Sequence, residues 1–298
     1  MSAIKKGAAA ADIGVAILNG LGYNEGAVKQ LFADTRIGPH LVTIGQSVLV
    51  PMHEKQASEA GRRRIYALLM AGGKGGYAAL KSECAQLLDE FFKAENPDFV
   101  ASRMLSSNLP AIHALIARGF YPVEVLIHSF YSIESAALVS DQMSSDVRGL
   151  KAEDAEAAFA LMQASGLKSH IHMDPNLPAD LGDLALMMTI ENYIGKPNAV
   201  VSKRQGKVAG FLAAGPRKVP LAGCGPTVEA AMGAVAKEIP DAWNVMRDML
   251  GVLYNILPEG YELFEIRVPS HAFNELSLLF ESKPSRVETS IVLHWLKP

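Results

Sequence analysis

The chain has 298 residues, 49% of them hydrophobic, which is enough for two compact domains with full-sized cores. Its 28 basic and 31 acidic side chains leave a formal net charge of −3, and this near balance disfavours a nucleic-acid partner. Two cysteines, Cys84 and Cys224, are too few for a disulfide framework, so a reducing cytoplasm is the expected compartment. No stretch approaches about 18 uninterrupted apolar residues, so we expect no membrane-spanning helix.

The same run of elements is predicted twice, the second time about 164 residues downstream. A short strand over 98–104 is followed by a helix over 109–118 and a strand over 123–127. The second run starts with a strand over 261–268. The apolar positions of the helix recur in the same phase, with Ile112, Leu115 and Ile116 falling on Leu276, Leu279 and Phe280. This gapless match indicates a tandem duplication.

The repeat predicts an N-terminal domain over 1–133 and a C-terminal domain over 146–298. The serine-rich segment 134–145 has little periodicity and is interpreted as the linker. The second copy opens with a strand and a helix over 146–165, whose counterparts in the first copy would precede Met1. We therefore expect the first domain to lack its first strand and helix. The element order predicts an α/β (α+β) fold, in which each domain has a mixed, mostly antiparallel sheet flanked by helices.

Several segments together carry a family resemblance. They are a strand and helix over 147–157, a hairpin over 198–211 that ends in glycine and phenylalanine, and an asparagine–alanine–glycine–phenylalanine pattern within 108–120. In this order they resemble the GNAT superfamily of N-acetyltransferases, so two tandem GNAT-like domains are expected. The segment 170–175 is similar to a segment of the sugar-nucleotide aminosugar acetyltransferases of that superfamily.

That last similarity implies that His170, His172 and Asp174 lie on the acceptor side of an active site. The two histidines have a spacing found in some metal sites, but no third ligand is identifiable, so no metal is expected. An ordinary loop pair is the alternative interpretation.

The resemblance also implies where an acyl-CoA binds. In the superfamily, a glycine-rich turn between the fourth strand and the next helix holds the coenzyme A pyrophosphate. Backbone N–H groups converge at such a helix N-terminus, and glycine lets the phosphates approach the backbone. The residues assigned in this way are Met70, Ala71, Gly72, Gly73, Lys74, Gly75, Gly76 and Asn108. A flexible surface turn is the alternative interpretation of these glycines.

The second copy lacks this turn. Its segment 236–243 contains no glycine, and Glu238 and Asp241 would repel a pyrophosphate. Pro240 is well suited to a helix start. We interpret the segment as a degenerate structural turn.

The motifs that carry catalysis are also degenerate. Acetyl transfer needs a deprotonated amine, a donor that polarises the thioester carbonyl and an acid for the departing thiolate. In many family members that acid is a tyrosine five residues before the glycine–phenylalanine pair, where this chain has Leu115. The second copy has Phe280 on the equivalent helix and replaces the glycine–phenylalanine pair at 283–285. The catalytic residues therefore stay unassigned.

Two charged positions recur in both copies. Arg103 recurs as Arg267, and we interpret these arginines as members of structural ion pairs. Glu124 recurs as Glu288, and we interpret these glutamates as solvent-facing strand positions.

The leading prediction is an acyl-CoA-dependent N-acyltransferase that uses acetyl-CoA or another acyl-CoA and no metal. Its acceptor would be a small-molecule amine, with an amino sugar as one candidate. No nucleic-acid or membrane partner is expected, and the protein would be a monomer or a homodimer. The alternative is a non-catalytic duplicated GNAT-like protein that binds a metabolite or a protein partner.

Overall fold

The computed structural model describes residues 3–34, 37, 40–54, 63–133, 146–166, 168–217, 222–256, 260–272, 276 and 283–298. The chain divides into two compact units. The first comprises Met1–Leu126, Lys218–Cys224 and Glu288–Pro298, and the second comprises Ile127–Arg217 and Gly225–Val287. The predicted linker, 134–145, lies outside the described residues.

The first unit has a mixed sheet with the strand order β1-β2-β3-β4-β5-β12-β6. The pairs β1–β2, β2–β3, β3–β4 and β5–β12 are antiparallel, and only β4–β5 among the paired strands with a described register is parallel. The strands are β1 (Lys5–Lys6), β2 (Val42–Ile44), β3 (Ser47–His53), β4 (Ile65–Gly72), β5 (Phe99–Leu105), β6 (Tyr121–Ser132) and β12 (Arg286–Leu296). The ends of β6 and β12 belong to the second unit.

Helices cover both faces of this sheet. Successive side chains of a strand point to opposite faces, and β4 shows this directly. Leu68 and Met70 pack into one core with the helices that follow β4 and β5, whereas Leu69 and Ala71 pack into another with the helices that precede the sheet. These helices are α1 (Ala8–Gly20), α2 (Glu25–Ala33), α3 (Tyr77–Glu95) and α4 (Leu109–Ala117).

Helix α3 is the longest described helix and presents one apolar stripe to the first core. Its buried residues follow helical spacing, and they are Leu80, Cys84, Leu87, Leu88 and Phe91. The helix ends at Glu95 and is followed by Asn96, whose left-handed conformation (φ 42°) is a common way to terminate a helix.

The second unit repeats this plan with the strand order β6-β11-β10-β9-β8-β7. β10 and β11 are parallel, whereas β7–β8, β8–β9 and β9–β10 are antiparallel. The strands are β7 (Val147–Gly149), β8 (Ala199–Arg204), β9 (Lys207–Pro216), β10 (Thr227–Val235) and β11 (Leu263–Pro269).

Its helices also lie on two faces. Phe211 and Ala213 of β9 pack against helices that precede β8, whereas Leu212 and Ala214 pack against the helix that follows β10. After a 3₁₀ turn at Ala152–Asp154, the helices are α5 (Ala155–Ser165), α6 (His170–Met173), α7 (Ala179–Glu191) and α8 (Ala242–Ile256).

The expectation that the first domain lacks its first strand and helix is wrong. β1 pairs with β2, and α1 and α2 precede the hairpin, as α5 to α7 do in the second unit. A comparison at one fixed offset misses them because the helical part of the first copy is shorter. The predicted domains also differ from the compact units at their ends, since Glu288–Pro298 belongs to the first unit. In the described part of the chain, no helix is long and apolar enough to cross a membrane.

Candidate functional site

The parallel strands of the first unit separate before they end. β4 and β5 are paired as far as Leu68 and Ser102, and the Ser102 hydroxyl donates to the Leu68 carbonyl at 3.0 Å. β4 continues to Gly72 and β5 to Leu105. The later backbone groups of the two strands therefore face a gap, where they can bind a side chain or a ligand.

Asn108 bridges this gap. It is the N-cap residue of α4, and its Nδ2 donates to the carbonyl oxygen of Met70 at 2.9 Å. Met70 is fully buried, so this bond satisfies a carbonyl that has no water to accept from. The structure thus brings together Met70 and Asn108, which the sequence assigned to one site.

The glycine loop, which we define as Gly72–Gly76, leads from β4 into the N-terminus of α3. Lys74, Gly75 and Gly76 are exposed, and no described side chain caps the helix at Gly76. The first N–H groups of any α-helix have no intrahelical acceptor, and they carry the positive end of the helix dipole. The loop and helix therefore expose donors that suit an anion.

The glycines of this loop have different reasons to be small. A Cβ on Gly73 would lie 2.9 Å from the Gln46 carbonyl oxygen, which accepts a hydrogen bond from the Gly73 amide at 2.5 Å. A Cβ on Gly75 would lie 3.2 Å from Leu80 Cδ2. A Cβ on Gly76 would have no described atom within 4 Å. The space beside Gly76 is therefore open to a ligand.

Glu83 of α3 holds the neighbouring hairpin turn against this loop. Its Oε2 accepts from the Gln46 amide at 3.0 Å and from the Ser47 hydroxyl at 2.9 Å. Gln46 in turn holds the Gly73 amide. The chain of contacts from Glu83 through Gln46 to Gly73 fixes the backbone of the loop. Sequence reasoning missed Glu83, because a glutamate within a helix is ordinarily a solvated surface residue.

The second unit has a similar gap with a different loop. β10 and β11 are paired as far as Glu229 and Glu265, and the pairing of β10 with β9 shifts between Ala230 and Met232. The loop after β10 carries the exposed Glu238 and no glycine. Its fixed negative charge opposes the binding of a diphosphate.

A buried ionic network lies where β10 and β11 separate. The Glu265 carboxylate is fully buried, contacts Arg217, and accepts from Nδ1 of the buried His128 at 2.6 Å. Arg267 forms an ion pair with Glu229 at 3.4 Å. The predicted structural role of Arg267 agrees with this pair. His128 and Glu265 were not identified from the sequence, because the partners are 137 residues apart.

The network shifts the pKa values of its members. Burial by itself would raise the pKa of Glu265, but the hydrogen bond from His128 and the charges of Arg217 and Arg267 outweigh it and lower the pKa to about 2. Burial lowers the pKa of His128, since it disfavours the imidazolium more than Glu265 stabilises it. Glu265 is therefore a carboxylate and His128 a neutral donor.

A cavity of about 550 Å³ lies elsewhere in the second unit, between α5, the β8–β9 hairpin and the loop after β10. Lys203, Lys207 and Lys237 line it together with acidic residues of the 3₁₀ turn. Lys203 Nζ lies 3.1 Å from the buried Asp154 carboxylate, which also receives two hydrogen bonds from Arg148. Because these three lysines are matched in number by Glu153, Asp154 and Glu238 in the lining, the cavity suits a small polar molecule better than a strong anion.

The predicted acceptor-side residues lie around α6. Nδ1 of His172 forms a hydrogen bond with the Ser169 hydroxyl at 2.9 Å. Its Nε2 lies 3.2 Å from an Asp183 carboxylate oxygen. His170 begins α6 and is half-buried, and the buried Asp174 accepts from the Asn176 amide at 2.9 Å. No group of three or more His, Cys, Asp or Glu residues in the described parts of the chain is arranged to hold a metal ion.

Two further positions singled out in the sequence, Leu115 and Glu124, are buried. Leu115, which lies where the resemblance predicts a tyrosine, is fully buried in the core, and Phe280 lies outside the described residues. Glu124 is buried, with 8% exposure, so its interpretation as a solvent-facing position is wrong. Glu124 lies on the same strand face as the buried Leu126 and alternates with Val125, which is 40% exposed, so it points to the buried side of β6.

Comparison with known proteins gives a likeness of fold. No protein-family model matches the chain, and no curated protein matches it. Among solved structures, a GCN5-related N-acetyltransferase from Sphaerobacter thermophilus aligns with a TM-score of 0.58 and 11% identity, over 99% of this chain and 96% of that chain. A GCN5-related N-acetyltransferase from Kribbella flavida aligns with a TM-score of 0.52 and 14% identity, over 97% and 95%.

A tandem GNAT protein from the clavulanic acid biosynthesis pathway aligns with a TM-score of 0.53 and 11% identity, over 99% of both chains. At such identities the likeness establishes the fold alone. The predicted GNAT-like α/β fold is confirmed, and the predicted likeness to the aminosugar branch stays a prediction.

Proposed function

We propose that this protein is an acyl-CoA-dependent N-acyltransferase whose first unit binds the coenzyme. The observation that carries the proposal is the glycine loop Gly72–Gly76, which lies where β4 leaves β5 and leads into the uncapped N-terminus of α3. The end of β4 beyond its pairing with β5, beside the first amides of α3, suits a ligand that combines amide groups with a diphosphate, as coenzyme A does.

The chemistry is a direct transfer between two bound substrates. The lone pair of the amine attacks the thioester carbonyl carbon, the carbon–sulfur bond breaks, the nitrogen loses a proton, and the departing thiolate takes one up. The loop amides and Lys74 would hold the diphosphate, and Asn108 would fix the end of α4 beside β4. We propose a small amine as the acceptor, with an amino sugar as the first candidate because of the segment around His172.

A second candidate function rests on the second unit. The acidic loop after β10 and the charge-balanced cavity beside α5 favour a unit that binds a small polar metabolite and no coenzyme. On this view the second unit, or both units, is non-catalytic.

Calorimetric titration of the full chain with acetyl-CoA tests the proposal. The informative variant is Gly76→Val, because its side chain enters open space and its backbone (φ −72°) accepts any residue. We expect wild type to bind one acetyl-CoA per chain and Gly76→Val to lose binding while it melts at the wild-type temperature. Gly20→Val is the matched control, since a Cβ on Gly20 also has no described atom within 4 Å.

Two results would count against this assignment. If Gly76→Val binds acetyl-CoA as tightly as wild type, the coenzyme does not bind at the glycine loop. If wild type neither binds acetyl-CoA nor gains thermal stability from it, the acyltransferase proposal is wrong and the non-catalytic function is favoured.

A further inference from the structure

An exposed, mostly apolar surface adjoins the glycine loop. Tyr77, the first residue of α3, is 46% exposed. On α4, Leu109 and Ile116 are 49% and 47% exposed, and they lie on one helix face with the exposed His113 between them. We call Tyr77, Leu109, His113 and Ile116 the aromatic shelf. Since α4 buries its other face in the core, the shelf is the helix's solvent side.

The two rings of the shelf are held in place. The Tyr77 hydroxyl and Nδ1 of His113 form a hydrogen bond between α3 and α4. The ring centroids are 5.8 Å apart, with an interplanar angle of 75°. A tyrosine fixed in this way loses little further freedom when a flat group stacks on it, so stacking is less costly than on a mobile side chain.

The charges around the shelf suit an anionic ligand. Neither α3 nor α4 has an acidic residue in its first turn, and the exposed Lys74 lies in the adjoining loop. The second unit differs, because an acidic loop precedes α8. An exposed aromatic ring held in place among apolar side chains, next to a site for a diphosphate, matches the chemistry of a nucleotide.

We propose that the aromatic shelf takes the adenine ring of coenzyme A. This inference rests on the proposed function, since it requires the diphosphate to lie on the glycine loop. Tyr77 directly follows Gly76, so a base joined to that diphosphate through one ribose is within reach of the shelf. Tyr77 and His113 are then the residues that select coenzyme A over ligands without a base.

The test compares two ligands on the full chain by calorimetry. Coenzyme A carries the adenine, and pantetheine 4′-phosphate lacks it. We expect Tyr77→Ala to weaken coenzyme A binding about tenfold and to leave pantetheine 4′-phosphate binding unchanged. Tyr77→Phe keeps the ring and should stay within about threefold of wild type. Val125→Ala, at a residue 40% exposed on β6, is the control outside the shelf.

Each other outcome contradicts the proposal that the aromatic shelf binds the adenine ring. If Tyr77→Ala weakens the binding of both ligands equally, Tyr77 supports the backbone of the glycine loop and does not contact the adenine. If it weakens the binding of neither ligand, the adenine does not bind at Tyr77. A wild-type dimer that Tyr77→Ala dissociates, with coenzyme A binding intact, would assign the surface to a second copy of this chain. If wild type does not bind coenzyme A, both the proposed function and the adenine site are refuted. If wild type binds coenzyme A but Tyr77→Ala does not selectively weaken that binding, only the adenine site is refuted.

Discussion

Leu293 of β12 is paired with Ser102 of β5, so the last strand of the chain completes the sheet of the unit that contains the first residues. Seven residue pairs, from Ser290 with Leu105 to Leu296 with Phe99, form this antiparallel ladder. Leu293 is fully buried in the same core as α3 and α4. The first unit is therefore built from segments on both sides of the second unit in sequence.

Leu293→Ala is expected to destabilise the first unit by about 2–5 kcal/mol, because the truncated side chain leaves a cavity in a packed core. Hydrogen exchange of the β5 amides measures this local stability. Leu184→Ala, at a residue 53% exposed on α7, should change the free energy of unfolding by about 0.5 kcal/mol or less. If exchange of β5 is as slow in Leu293→Ala as in wild type, β12 does not stabilise this unit.

Asn108→Ala should lower the free energy of unfolding by about 1–3 kcal/mol, because it leaves the buried Met70 carbonyl without its donor. Urea denaturation measures the change. The comparison is Asn19→Ala on the exposed side of α1, where alanine has the better helix propensity. Equal stability of the two variants would show that water replaces the Asn108 amide in the gap.

Glu83→Ala should weaken acetyl-CoA binding although Glu83 is only a positioning residue. Its loss frees Gln46, and the Gly73 amide then loses its fixed partner. We expect about tenfold weaker binding, since orienting a binding loop lowers the entropic cost of association. Glu83→Gln, which keeps one acceptor oxygen, should restore part of the affinity, whereas an equal loss of affinity in Glu156→Ala on the exposed face of α5 would show that the effect is not local.

The sequence predicted those features that depend on local pattern. The strands around Arg103 and Arg267 appear at the predicted offset, since β5 begins at Phe99 and β11 at Leu263. The glycine loop was predicted because a strand, a run of glycines and a helix follow one another directly. The bond between Asn108 and Met70 was not derivable, but both residues had been assigned to one site.

Features that depend on contacts between distant segments were missed. The buried His128–Glu265 pair joins two strands, and neither residue belongs to a local motif. Helices α1 and α2 were missed because the repeat was compared at one offset, which a difference in helix and loop length breaks. β12 was assigned to the second domain because chain order does not reveal which sheet a terminal strand joins.

The buried network should make the second unit sensitive to acid. The pKa of His128 is lowered in the folded state, so the unfolded chain binds the proton more readily. The contribution of His128 to stability is therefore present above the ordinary histidine pKa, about 6.5, and is lost as the pH falls below it. Glu265, with its pKa lowered to about 2, adds a second loss as the pH falls below the ordinary glutamate pKa.

His128→Gln removes the first of these transitions, because a glutamine amide donates to Glu265 without titrating. We expect the free energy of unfolding of His128→Gln to fall less between pH 7.5 and pH 5 than that of wild type, even if the variant is less stable at pH 7.5. Urea denaturation at a series of pH values measures this slope. His271→Gln, at an exposed histidine, should keep the wild-type slope. A slope in His128→Gln as steep as in wild type would mean that His128 takes up its proton without unfolding this network.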